Sequence, residues 1–118
     1  MVLDDKGLGN DTSRDWRQDA LLVAGQTSCQ GSAITSSLCA TPAYYVFRHF
    51  SQYVNAGHAT VVGTSGGDAV AFKNEDGSIV TVMYNSGAAN SAYTVQIGSK
   101  KVSFAMPANG WATLKYKP

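Results

Sequence analysis

The sequence predicts a mainly β protein, an antiparallel sandwich preceded by one aromatic helix. Three observations carry this. From Ala59 onward the apolar residues recur with a period near two, the signature of half-buried strands. Turn signals, of which Asp76-Gly77 is the strongest, divide that alternation into short runs. Only 14% of the residues are charged against 44% hydrophobic, a balance common in secreted β proteins.

The chain of 118 residues fits one modest core. Residues 1–41 read as loop-like. Met1-Val2-Leu3 resembles the end of a buried strand, and Ala20–Ala24 is a short apolar run, either a strand or one helical turn. Asp4–Asp19 and Gly25–Thr41 carry the Gly, Asn, Asp, Ser and Thr that favour turns and connections. A helix is predicted over 42–54, with Thr41 as N-cap and Pro42 in the first turn. Val46, Phe50, Tyr53 and Val54 form an apolar stripe, and Tyr44 and Phe47 lie on adjacent faces. That width predicts a helix packed on two surfaces. Gly57 ends the segment.

Strands follow at 59–63, 68–73, 78–84, 93–97, 102–106 and 111–116. The run at 78–84 is apolar on both faces and reads as the central strand. Turns are expected at 64–67, 74–77, 85–91, 98–100 and 107–110. About six short antiparallel strands of this kind read as a sandwich.

A net charge of +1 offers no electrostatic case for nucleic acid or an anionic membrane. No apolar run reaches the length of a membrane span. The N-terminal residues lack the basic and apolar regions of a signal peptide, so the signal of an exported parent is expected upstream of this chain. Cys29 and Cys39 fit neither a zinc pattern nor a CxxC redox motif. They are either two free thiols or a disulfide, which would contribute on the order of 2–3 kcal/mol through loop entropy.

Chemistry-bearing residues are few. Glu75 is the single glutamate, and it sits in a hairpin turn. Catalysis by paired carboxylates needs two such groups close together on a rigid site. His49 and His58 have no Cys or Glu at ligand spacing, so His49 is expected packed or hydrogen-bonded and His58 exposed. The run Gly63–Gly67 opens no helix and therefore makes no phosphate cradle. Tyr84, Tyr93, Trp111 and Tyr116 either form a sugar-stacking platform or fill the sandwich and its borders.

Three segments, YYVFRHFSQYV, VAFKNEDGSIVTVMYNSG and FAMPANGWATLKY, resemble in order the C-terminal region of glycoside hydrolase family 30. The initial MVLDDKG is similar to the end of the eighth barrel strand in that family. The resemblance covers nearly the whole chain and is patchy over 10–40. It implies a β-sandwich side domain, 58–118, preceded by the last strand–loop–helix unit of a (β/α)8 barrel, 1–57. The family's two catalytic glutamates, at the ends of the fourth and seventh barrel strands, would then lie upstream. So would N-terminal strand material that completes the side domain.

On this reading the chain is the C-terminal part of a retaining β-glycoside hydrolase, inactive by itself. Trp16, Asp5 and Arg14 would contact a polysaccharide or glycoside substrate in the parent, because loops after barrel strands build such sites. No cofactor or metal is implied. The resemblance and the low charge imply a secreted or extracytoplasmic parent. The helix would face the missing barrel portion or self-associate. The competing readings are a stand-alone carbohydrate-binding sandwich and a purely structural module.

Overall fold

The computed structural model describes residues 2–3, 21–24, 32–35 and 38–118. It divides into two compact units, Met1–Arg48 and His49–Pro118.

The first unit holds a small sheet of four described strands. These are β1 (Val2–Leu3), β2 (Leu22–Ala24), β3 (Ser32–Thr35) and β4 (Leu38–Ala40), in the order β1-β2-β4-β3. β1 runs parallel to β2, and β4 runs antiparallel to both β2 and β3. The loop-like reading of 1–41 is therefore corrected. Two strands lie within the stretch expected to be connection, and the apolar run 20–24 is a strand. β3 and β4 are only four and three residues long, too short to show alternation, and cross-strand hydrogen bonds decide the conformation. A register shift between Ala33 and Thr35 breaks the period further. Cys39 and Ala40 are buried on β4.

Helix α1 (Pro42–Ser51) starts as predicted and stops three residues early. The amides of Tyr53 and Val54 still donate to the Phe50 carbonyl, so the last expected turn is a tightened exit. At the other end the Thr41 hydroxyl and amide both donate to the Leu21 carbonyl, at 3.2 and 3.0 Å, which ties the helix start to the chain entering β2. No residue of α1 is fully buried, and Phe47 is 60% exposed.

The second unit contains six strands, the number the alternation predicted. A four-stranded antiparallel sheet has the order β10 (Trp111–Tyr116), β7 (Ile79–Tyr84), β6 (Asp68–Lys73), β5 (Thr60–Val62). β8 (Ser91–Ile97) and β9 (Lys100–Met106) form a separate antiparallel hairpin. β7 is central, and Val80, Thr81, Val82 and Met83 are all buried on its two faces. β8 shows strict alternation, with Tyr93, Val95 and Ile97 half-buried and Ala92, Thr94 and Gln96 exposed. Tyr93 pairs with Phe104 and Val95 with Val102 on one hairpin face, while Thr94 and Ser103 hydrogen-bond at 2.8 Å on the other.

Two buried asparagines organise the ends of the main sheet. Asn74, at the exit of β6, accepts from the Asn55 amide at 2.9 Å and donates to the Tyr53 carbonyl at 2.9 Å and the Ser78 hydroxyl at 3.0 Å. It thus joins the helix exit to the β6–β7 turn, where Gly77 supplies the positive φ of 78°. Asn85, at the exit of β7, donates to the carbonyls of Ala89, Met106 and Pro107 at 3.0, 3.3 and 2.9 Å. Its Oδ1 accepts from the Gly87 amide at 3.0 Å and from the Tyr93 hydroxyl at 3.4 Å. One side chain therefore binds the main sheet to both ends of the β8–β9 hairpin.

Alanine at position 85 would strand several of these carbonyls in a buried site. Asn85→Ala is expected to lower unfolding free energy by about 2–3 kcal/mol. Urea denaturation followed by circular dichroism measures it, and a midpoint unchanged from the parent chain would contradict the role given to this residue.

Candidate functional site

The sheet register sets Asp68, Tyr84 and Trp111 side by side on one face of the main sheet. Val70, Val82 and Thr113 form the next row, and Phe72, Val80 and Lys115 the one after. The last turn of α1 lies over this face. His49 Nδ1 and Thr113 Oγ1 are 2.8 Å apart, and the Thr113 hydroxyl also lies 3.3 Å from the His49 carbonyl. If that hydroxyl donates to the carbonyl, it accepts from Nδ1–H, and the ring carries its proton on Nδ1.

An aromatic group closes the same surface. Trp111 lies 4.8 Å from Tyr84, ring centre to ring centre, 6.3 Å from His49 in a stacked arrangement, and 6.5 Å from Phe50. Phe50 meets Phe72 edge to face at 6.1 Å. Such pairs add about 0.5–1.5 kcal/mol each beyond area burial. Trp111 remains 37% exposed, so its outer edge reaches solvent. Ser86 donates to Asp68 Oδ2 at 2.8 Å, giving the aromatic row a polar border.

The residues that raised acid–base readings are separated. Glu75 and His58 are 3.8 Å apart with exposed side chains, an ion pair of little energetic weight when the histidine is charged. Asp76 is held below the ordinary carboxylate range, first by the Ser78 hydroxyl and then by the Ser78 amide. Its Oδ1 accepts both, at 2.6 and 3.0 Å, which is an Asx-type clamp on the hairpin turn. Among the described residues no group of three or more His, Cys, Asp or Glu is placed to hold a metal, and no helix is long and apolar enough to cross a membrane.

Trp16, Asp5 and Arg14, the residues expected to meet substrate, lie outside the described residues, as does Cys29. Cys39 carries no free thiol. Of the four platform aromatics, Tyr84 and Trp111 come together on the face under α1. Tyr93 points its hydroxyl to Asn85, and Tyr116 occupies the opposite face of the main sheet. The sequence reading passed over Asn74 and Asn85, since an asparagine in a turn gives no sign of being buried. Their only local signal is that each directly follows or ends an apolar strand.

The architecture of the second unit is that of a mainly β, antiparallel sandwich domain. Residues 57–114 match the model of the glycosyl hydrolase family 30 beta sandwich domain. The structure of SrfJ from Salmonella typhimurium is similar, with a TM-score of 0.78 and 26% sequence identity. The alignment covers 99% of this chain and 25% of SrfJ, so the chain spans about a quarter of that protein. No curated protein sequence matches the chain.

Proposed function

We propose that the chain is the C-terminal part of a retaining β-glycoside hydrolase, serving as the sandwich that supports a catalytic barrel. The observation that carries this reading is the family 30 sandwich match over 57–114, joined to an alignment with a quarter of SrfJ that takes in nearly all of this chain. Residues 1–57 are proposed as the last strand–loop–helix of the barrel, with 58–118 as the side domain. The catalytic glutamate pair belongs upstream, and Trp16, Asp5 and Arg14 contribute to the sugar site of the intact enzyme. A secreted or extracytoplasmic location goes with this reading.

The carboxylate inventory supports a non-catalytic role for the chain alone. A double displacement at an anomeric carbon needs a nucleophile and an acid–base group facing each other. Glu75 sits exposed in a turn, and Asp76 is committed to Ser78. The purified chain is therefore expected to show no hydrolysis of aryl β-glycosides. Turnover abolished by a single Asp substitution in this chain would overturn the proposal. Sequencing upstream of Met1 provides the direct check, with a barrel carrying two strand-end glutamates expected.

An alternative is a stand-alone carbohydrate-binding sandwich, favoured by the exposed edge of Trp111 beside Tyr84. Retention on insoluble polysaccharide, lost on Trp111→Phe in a folded chain, would select it.

The exposed Phe47 and Tyr45 of α1 support a further element of the proposal, that this helix is covered by a missing barrel portion or by self-association. Sedimentation of the isolated chain is expected to show oligomers. A monomer that binds no hydrophobic dye would refute this. The Cys29–Cys39 disulfide is proposed as the closure of the loop before β4. Alkylation without prior reduction should leave both cysteines unmodified, and labelling of both in the folded chain would exclude the bond.

A further inference from the structure

Asn109-Gly110 is the one Asn-Gly dipeptide in the chain. Glycine is the residue that least hinders attack of its own backbone nitrogen on the preceding asparagine side chain. The turn nevertheless demands glycine here. A Cβ at position 110 would lie 2.6 Å from Pro107 Cγ and 2.8 Å from the Pro107 carbonyl oxygen, closer than the fold can relieve by a side-chain shift. Close packing at the turn thus keeps a chemically labile pair in the sequence.

The same turn holds that pair out of reaction. The Gly110 nitrogen, the atom that would attack, donates to the Pro107 carbonyl at 3.1 Å. The Gly110 carbonyl accepts from the Asn85 amide at 2.9 Å, and the Asn109 amide donates to the Gly87 carbonyl at 3.2 Å. Asn109 is fixed at φ 52°, and its Oδ1 lies 3.5 Å from the Tyr84 hydroxyl. Attack requires the Gly110 nitrogen to leave its carbonyl partner and swing over the Asn109 side-chain carbon. That movement breaks the clasp between the 85–90 loop and the 107–110 turn. Asn109 itself is exposed, so water reaches the site once the ring has formed.

We propose that Asn109-Gly110 is a conformationally guarded deamidation site, whose reaction rate is set by opening of the 107–110 turn. The deprotonated Gly110 nitrogen bonds to Asn109 Cγ and ammonia leaves with the side-chain nitrogen, giving a five-membered imide. Water then opens the imide at either carbonyl. One product is aspartate, and the other is isoaspartate, which carries an extra methylene in the main chain. The balance is asparagine plus water to aspartate or isoaspartate plus ammonia. Either product places a carboxylate beside Tyr84, and isoaspartate also lengthens a turn that closes over Gly110. Modification therefore acts in one direction and weakens the clasp that had prevented it.

Incubation of the full chain at mildly alkaline pH, followed by peptide mapping, tests this through the gain of about 1 Da at Asn109. Conversion is expected at least about tenfold faster in denaturing urea than in buffer. In buffer, Asn85→Ala is expected to accelerate it, because the side-chain bonds from Asn85 to the Pro107 carbonyl and the Gly87 amide, which brace the backbone clasp, are removed. Should that variant not fold, the unmodified chain in urea below its unfolding midpoint gives the same readout, with a rate that climbs as the turn opens. Equal rates in buffer and denaturing urea would overturn the proposal. So would a flat rate below the midpoint, or conversion mapping to another asparagine.

Discussion

The buried side chain of Asn85 is the constraint on which the sandwich depends. The main sheet and the β8–β9 hairpin share no ladder, so their joining cannot come from strand pairing. Apolar burial draws the two layers together but does not fix where along their length they meet, because hydrophobic attraction has no direction. Asn85 supplies the direction. It stands at the end of the central strand and reaches the carbonyls of Met106 and Pro107 at the end of β9, and the hydroxyl of Tyr93 near the start of β8. Asn74 does the corresponding work at the other end, between the β6–β7 turn and the helix exit. An amide suits both places because it donates and accepts on one rigid plane.

With the two ends pinned, the aromatic surface follows. β7 and β10 are held in a register that brings Tyr84 beside Trp111, and the exit of α1, tied through Asn74, lays His49 and Phe50 against them. The arrangement is a supporting one. Its polar members are engaged with one another or with backbone, and its described carboxylates, Asp68, Glu75 and Asp76, are dispersed rather than paired. A glycosidase site concentrates carboxylates in opposition across a bond. Here the aspartates at 68 and 76 are each satisfied by a neighbouring serine.

The legibility of the sequence tracked the scale of the interaction involved. Alternation at Tyr93, Val95 and Ile97 revealed β8, and the doubly apolar run at 79–84 revealed the central strand, since burial of regular faces imprints a period on the residues. The family, too, was readable from three separated segments. The strands at 32–35 and 38–40 were not, because each is short and is shaped by partners distant in sequence. The helix end was overestimated by three residues, since Tyr53 and Val54 continue the apolar stripe while their amides turn back to Phe50. Of the residues expected to meet substrate, none falls within the described part of the chain.

By itself, then, the sequence determined the helix start, the presence and order of the six strands of the second unit, and the resemblance to the family 30 sandwich. These are consequences of local periodicity, turn chemistry and motif order. Only the tertiary structure decided which turn asparagines are buried, that Trp111 packs against Tyr84 and His49, and that Gly110 is required by its approach to Pro107. Those outcomes rest on contacts between residues far apart along the chain. A hydrogen bond or a close approach leaves no period in the sequence, so an asparagine in a loop reads the same whether it is solvated or holds two sheets together.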